Sequence, residues 1–293
     1  MNDAFGIDHP LIAVHDINAL RDRLIGIGFN MTSIGKHPWG TSTSLAMFQG
    51  CLLEIMGIYD ETLIDEVPAG DFHFGRHVYE HLQKREGVAL TALHSTNSVT
   101  DAVVAEAAGF RISGHLEFGR DVTLPNDRLG RTKTTLALLP DKARPRLSFF
   151  LCQQHRPEFI YVPSWLDHPN SVCGYAGASV LAHDEDMGAM ETKFSGIYGA
   201  PRPCDGGVVF DTANGKMRLL TRAAIEARNG PLPTDVLTED EPGFVALDLA
   251  FSDGKKLEAC LRNSGVKYSR HESEFRLSEP QLFGNTFLNF VPC

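Results

Sequence analysis

The sequence predicts an α+β protein of four tandem β-α-β-β-β modules that pair into two half-barrel domains. One observation is repetition. Four times a hydrophobic strand runs into a polar cap, then an amphipathic helix, then glycine: AVHDINALRDRLIGIGF, ALHSTNSVTDAVVAEAAGF, VLAHDEDMGAMETKFSGIYG and LAFSDGKKLEACLRNSGV. Their expected caps, Asp16, Ser95, Asp184 and Asp253, are 79, 89 and 69 residues apart. The other observation is that two extended runs, Thr41 to Gln49 and Cys51 to Tyr59, follow the first helix with only Gly50 between them.

Each module reads in the same physical terms. In the first, the apolar run Gly6 to Val14 ends near Asp16, whose carboxylate can accept an orphan backbone N–H. Leu20, Leu24 and Ile27 recur at helical spacing while Arg21, Asp22 and Arg23 face out, and Gly28 stops the helix. In the second, Ser95 or Ser98 is the expected cap, Val99 and Val103 point inward and Gly109 closes. Its later strands are expected at Thr134 to Leu139 and Leu147 to Gln153. In the third, Asp184 caps, Met187, Met190, Phe194 and Ile197 form the stripe and Gly199 terminates. In the fourth, Asp253 caps and Leu257, Leu261 and Val266 fill the buried face around Gly265.

The proline-rich turn VPSWLDHPNSVCG separates the halves, giving domains 1–165 and 166–293. NGPLPTDVLTEDEPG reads as a solvated connector between modules three and four, and Asp60 to Gly87 as an irregular join with a short helix over Arg76 to Arg85. With 293 residues the chain can bury sizeable cores. A net charge of -10 leaves no basic footprint for nucleic acid. No apolar run reaches the roughly 20 residues of a membrane span. The N-terminus has no basic region followed by an apolar core, so a cytoplasmic location is the expectation, with the six cysteines reduced. Phosphate-loop, dinucleotide and nucleophile-elbow motifs are absent, and Cys51 and Cys152 fall in buried strands unsuited to a thiol nucleophile. The oligomeric state is open between a monomer, in which four modules close both half-barrels, and a homodimer.

The DHPLIAVHD first strand, the HPWGTST turn and the LLEIMG strand, set in tandem modules, resemble the vicinal oxygen chelate superfamily and, within it, the glyoxalase-like branch. Four modules in one chain is also the layout of extradiol dioxygenases. The resemblance implies a divalent metal, Zn, Fe, Mn or Ni, held in the cupped sheet and binding two adjacent oxygens of a small substrate. Ligands from the first and last strands of a module make His9 and Glu54 the candidates, with His155 and His168 as further metal ligands and His37 beside Glu54 as a catalytic group. Strand alternation places His9 with Leu11 and Ala13, and Glu54 on an apolar face with Leu52 and Met56, where a carboxylate needs a partner. Each also has a plain structural reading, as a hydrogen-bonded edge histidine or an arginine-paired glutamate.

The second half departs from that pattern, with Gly177 and Ala246 aligned to His9 and Asn289 aligned to Glu54; Val88 takes the His9 place in module two. HFGRHVYEH sets His73, His77 and His81 on one helix face, read mainly as solvated. Two functions follow. One is a metal-dependent enzyme of isomerase, lyase or dioxygenase type. The alternative is a non-catalytic small-molecule binder of the same fold, in which Trp39, Phe74, Tyr161 and Trp165 stack the ligand.

Overall fold

A computed structural model describes residues 4–233 and 241–293. The first module runs β1 (Ile7–Ala13), α1 (Ile17–Gly26), β2 (Gly35–Lys36), β3 (Thr41–Phe48) and β4 (Cys51–Ile58). A join carrying α2 (Phe74–Leu82) leads to β5 (Gly87–His94), α3 (Ser98–Ala107), β6 (Gly114–Phe118), a hairpin of β7 (Asp121–Thr123) and β8 (Leu129–Arg131), then β9 (Thr134–Leu139) and β10 (Phe149–Gln154). The third module is β11 (Val172–Leu181), α4 (Asp184–Tyr198), β12 (Arg202–Cys204), β13 (Gly207–Asp211) and β14 (Lys216–Leu220), followed by α5 (Arg222–Asn229). The fourth is β15 (Gly243–Phe251), α6 (Gly254–Ser264), β16 (Tyr268–His271), β17 (Glu274–Leu277) and β18 (Phe287–Pro292).

Two eight-stranded sheets share one order: β2-β3-β4-β1-β5-β10-β9-β6, and β12-β13-β14-β11-β15-β18-β17-β16. In each, the first strands of two modules pair antiparallel at the centre and each module's last strand lies parallel to its first. The modular reading is therefore the observed architecture.

Alternation along the strands sorts side chains between two cores. Ile12, Leu53, Ile55, Phe149 and Leu151 join a core that both sheets share with α1, α3, α4 and α6. Leu11, Met56, Phe150 and Cys152 point the other way, into a cup partly filled by Phe74, Val78 and Leu82 of α2. Phe149 links the halves, with ring centroids 5.8 Å from Phe194 and 5.8 Å from Phe244. The second cup is filled in like manner by Ile225 of α5 against Leu181, Val245 and Phe287.

Three local expectations are corrected. The cap of α3 is Asn97, whose side chain accepts the amides of Val99 and Thr100; Ser95 instead donates to buried Asp101 at 2.6 Å. That start rotates the helix, so Val99 and Val103 are each 63% exposed while Ala102 and Ala105 are buried. For α4 the cap is His183, and Asp184 lies in the acidic first turn, where carboxylates favour the helix N-terminus. The helix expected over Arg76 to Arg85 starts at Phe74 and ends at Leu82. Of the expected connector between modules three and four, residues 234–240 lie outside the described residues.

Candidate active site

Pairing between β1 and β5 slips between Ile7 and His9. Such a bulge sets consecutive residues off strict alternation. Here it lets Asp8, fully buried, reach the ring of the residue that follows it. Asp8 Oδ1 lies 2.5 Å from His9 Nδ1, and Asp8 Oδ2 lies 3.3 Å from His94 Nδ1. Burial works against the Asp8 carboxylate, but His9 and His94 outweigh it and hold its pKa below the usual value. An ionised Asp8 can only accept, so His9 Nδ1 carries the proton and Nε2 faces the cup.

Opposite that nitrogen is Glu54, brought beside β1 by the parallel register Leu11 to Glu54. Glu54 Oε2 lies 3.3 Å from His9 Nε2. Its other oxygen accepts the Thr43 hydroxyl at 2.5 Å, across the β3–β4 pair. Burial depresses the His9 imidazolium, yet the Asp8 carboxylate first and Glu54 second raise its pKa above normal, with Arg120 opposing. A positive charge between two carboxylates is what this arrangement favours.

The pair opens into a cavity of about 600 Å³ lined by apolar side chains such as Leu11, Met56, Phe118 and Phe150, with His37, Trp39 and Arg120 among them. The β7–β8 hairpin contributes Asp121, Val122 and Thr123 to its wall. His37 stacks on Trp39 with centroids 4.7 Å apart and planes at 17°, and its Nδ1 lies 2.8 Å from Thr41 Oγ1. Burial first, then Arg120 and His9, lower its pKa to about 3, so it is a neutral imidazole near pH 7. The indole N–H of Trp39, whose side chain is buried, has no hydrogen-bond partner among the described residues.

The donor set fits a divalent ion. Two donors about 2.1 Å from one tetrahedral ion lie about 3.4 Å apart, close to the 3.3 Å between His9 Nε2 and Glu54 Oε2. Ligating atoms of Asp8, His9 and Cys152 also fall within 4.8 Å of one another, a group that does not include Glu54, so Cys152 is a further donor on the His9 side of the site. Burial, aided by Asp8 and Glu54, pushes the Cys152 pKa well above the usual thiol value, so it is protonated unless a cation displaces the proton. Asp8 occupies the position behind a ligating histidine that fixes its tautomer and orientation.

Of the residues singled out in the sequence, His9, Glu54 and His37 line one cavity. The other two histidines do not join them. His155 directly follows Gln154, a cavity-lining residue of β10, and by alternation it points away; it is exposed, with Nε2 2.7 Å from Thr135 Oγ1. His168 is buried with both ring nitrogens engaged: Nδ1 accepts the Asn30 amide at 2.9 Å and Nε2 donates to the Met47 carbonyl at 2.9 Å. The HFGRHVYEH face is not solvated either. His81 is buried, and His77 Nε2 lies 2.9 Å from the Ala89 carbonyl, on the side of α2 that closes the cup. Asp8, Thr43, Cys152 and Arg120 were not singled out as site residues; the adjacent Asp8-His9 pair was the available signal for the first.

The second cup is built differently. The bond from Val14 N–H to the Met56 carbonyl in the first half is matched by Ala182 N–H to the Leu220 carbonyl, which sets Gly177 in the place of His9 and Arg218 in that of Glu54. A Cβ on Gly177 would lie 2.9 Å from Arg218 Nη1 and 2.7 Å from the Lys216 carbonyl, so a histidine has no room there. Arg218 and Arg228 both donate to buried Asp248, at 2.7 and 3.0 Å, and Asn289 donates to its other oxygen at 2.9 Å.

Known structures share this architecture at low sequence identity. A hypothetical protein from Staphylococcus aureus matches with a TM-score of 0.68 at 10% identity, over 98% of this chain and 99% of its own. A mutant 4-hydroxymandelate synthase from Streptomyces coelicolor matches with a TM-score of 0.61 at 12% identity, over 100% of this chain and 93% of its own. A fusion of a xylose isomerase-like TIM barrel with 4-hydroxyphenylpyruvate dioxygenase matches with a TM-score of 0.56 at 10% identity, over 99% of this chain and 49% of its own. No curated protein sequence matches the chain. The glyoxalase-like domain family matches residues 7–193, the whole of the first sheet and on through most of α4. With the vicinal oxygen chelate fold and that match, the chain belongs to the glyoxalase-like domain family.

Proposed function

We propose that the first cup is the active site of a metal-dependent enzyme acting on a small substrate with vicinal oxygens. The observation that carries the reading is the approach of His9 Nε2 to Glu54 Oε2, 3.3 Å, at the wall of a 600 Å³ cavity. Family membership supports metal use, as does the fold shared with a dioxygenase-containing fusion. His9 and Glu54 would hold the ion, with Cys152 within reach, and a bound divalent ion supplies Lewis-acid polarisation of a substrate oxygen.

The chain's own groups prepare that site. Asp8 keeps a proton on His9 Nδ1, so that an ion displacing the Nε2 proton shared with Glu54 would meet the Nε2 lone pair facing the cup. Thr43 holds one oxygen of Glu54 and leaves the other facing His9, where it would share an ion with that ring. His37, neutral near pH 7, offers a weakly basic ring nitrogen on the cavity wall. The apolar lining excludes water around these few polar groups, which strengthens each electrostatic contact.

A non-catalytic binder is the competing reading, favoured by the aromatic lining of Trp39, Phe74, Phe118 and Phe150. Elemental analysis of protein purified without chelator or nickel resin, alongside Glu54→Ala, separates the two. Near-stoichiometric metal that is lost in the variant supports the enzyme. Absence of metal after reconstitution with Zn, Fe, Mn or Ni leaves the binder.

A further inference from the structure

We infer that Arg120 is the anchor for an oxyanion, a carboxylate or phosphate group, on the ligand of the first cup. The inference rests on that cup being the substrate site. Arg120 is half-buried and lines the cavity that holds His9, Glu54 and His37. Its backbone is tied on both sides to Thr132, whose hydroxyl accepts the Arg120 amide at 2.9 Å and whose amide donates to the Arg120 carbonyl at 2.9 Å. The side chain therefore springs from an anchored position at the root of the β7–β8 hairpin.

The guanidinium has no ion pair among the described residues. The carboxylates of the site and of the adjoining hairpin have other partners. Glu54 is held by Thr43 and His9, Asp8 by His9 and His94, and Asp121 by Arg131 at 2.7 Å. The second cup shows the contrast, because there Arg218 is neutralised by Asp248 from its own sheet. A half-buried cation without an internal partner remains available to an anion entering the cup from solution. The charge reaches the site: Arg120 acts electrostatically on both His37 and His9.

Gly35 makes room for the group. A Cβ at that position would lie 2.9 Å from Arg120 Nη1. Glycine there is a positioning feature, since any larger residue pushes the guanidinium aside. The planar fork of arginine suits a two-oxygen anion, and the surrounding Trp39, Phe118 and Phe150 suit an apolar body attached to it. A small acid with an apolar or aromatic body and an oxyanion tip is the ligand class this geometry selects.

The two tryptophans of the chain, Trp39 and Trp165, both line the cavity, so intrinsic fluorescence reports its occupancy. The full-length protein is titrated, as purified and after chelation, with benzoate, phenyl phosphate and the neutral benzyl alcohol. Metal content is measured on the same samples. The expected result is saturable quenching by one or both anions, weakened about 10- to 100-fold in Arg120→Gln, with the neutral probe indifferent to the substitution. Arg120→Lys retains part of the affinity, and Gly35→Ala loses affinity with metal content unchanged. Preference for benzoate assigns carboxylic acids, and preference for phenyl phosphate assigns phosphate monoesters. Equal anion affinity in wild type and Arg120→Gln overturns the inference, as does equal binding of benzyl alcohol or no binding of any probe. Anion binding abolished by chelation but not by Arg120→Gln assigns the oxyanion to the metal and also overturns it. Anion binding through Arg120 in a protein that takes up no metal preserves the inference while the metal reading fails.

Discussion

Asp8 and His9, neighbours in sequence, also bind each other side chain to side chain, with Oδ1 2.5 Å from Nδ1. Residues adjacent on a regular strand face opposite ways. The pairing exists because the ladder between β1 and β5 slips at this point. It fixes the orientation of the His9 ring, with its second nitrogen 3.3 Å from Glu54 Oε2.

Replacing Asp8 with Asn removes the charge behind His9 while keeping an acceptor in place. Partners of this kind typically change metal affinity about 10- to 100-fold, and a loss in that range is the expected outcome. Competition with a chromophoric chelator measures it, and an unchanged affinity would assign Asp8 to folding alone.

Stability is expected to fall on acidification below about pH 6.5. His37, with a folded pKa of about 3 against 6.5 as the ordinary value, takes up its proton in the unfolded chain first. Unfolding then binds protons between those two values, so the stability is present above pH 6.5 and is lost as pH falls toward 3. Burial lowers His77, His81 and His168 in the same sense, and the depressed Asp8 adds to the loss at low pH, while the raised His9 acts oppositely. Urea midpoints at pH 7, 6 and 5 should decline, and His37→Gln should flatten the decline. A flat profile in the wild type would contradict the neutral, buried state of these rings.

Phe149 joins the two halves through Phe194 and Phe244. Truncation to alanine in such a core costs about 3–5 kcal/mol. Denaturant titration of Phe149→Ala should show that loss in a single transition followed equally by near-UV and far-UV dichroism. A variant in which one half unfolds first would show that the shared core does not couple them.

In the second cup, Asp248→Ala strands Arg218 and Arg228 together. Breaking a buried ion pair from one side costs about 3 kcal/mol or more, so the variant should melt earlier. Its metal content should match the wild type, because His9 and Glu54 are untouched. A drop in metal without a drop in stability would relocate the metal to the second half.

Much of this was legible in the sequence. Four repeats of strand, cap, helix and glycine encode the modules, because hydrophobic periodicity and capping are local. His9 and Glu54 were legible as a polar pair on faces otherwise apolar. The face of α3 was not, because Asn97 competes with Ser95 and Ser98 for the cap, and Ser95 is spent on Asp101 of the helix itself while Ser98 bonds to Gln153 of β10. His155 and His168 looked as eligible as His9. One points away by the parity of its strand, and the other spends both nitrogens on backbone groups more than a hundred residues away in Met47 and Asn30.

The sequence by itself determined the α+β modules, their pairing into two half-barrels and the polar residues His9 and Glu54 on the faces that meet in the first cup. Those follow from patterns within one strand or one helix. Tertiary structure alone decided that Asp8 backs His9, that Arg120 at the root of the β7–β8 hairpin shares their cavity without a carboxylate partner among the described residues, and that Arg218 occupies the space Gly177 leaves in the second cup. Each depends on a register slip, a loop path or a neighbour across the sheet, and charge compensation between residues far apart in the chain is set by where the fold brings them.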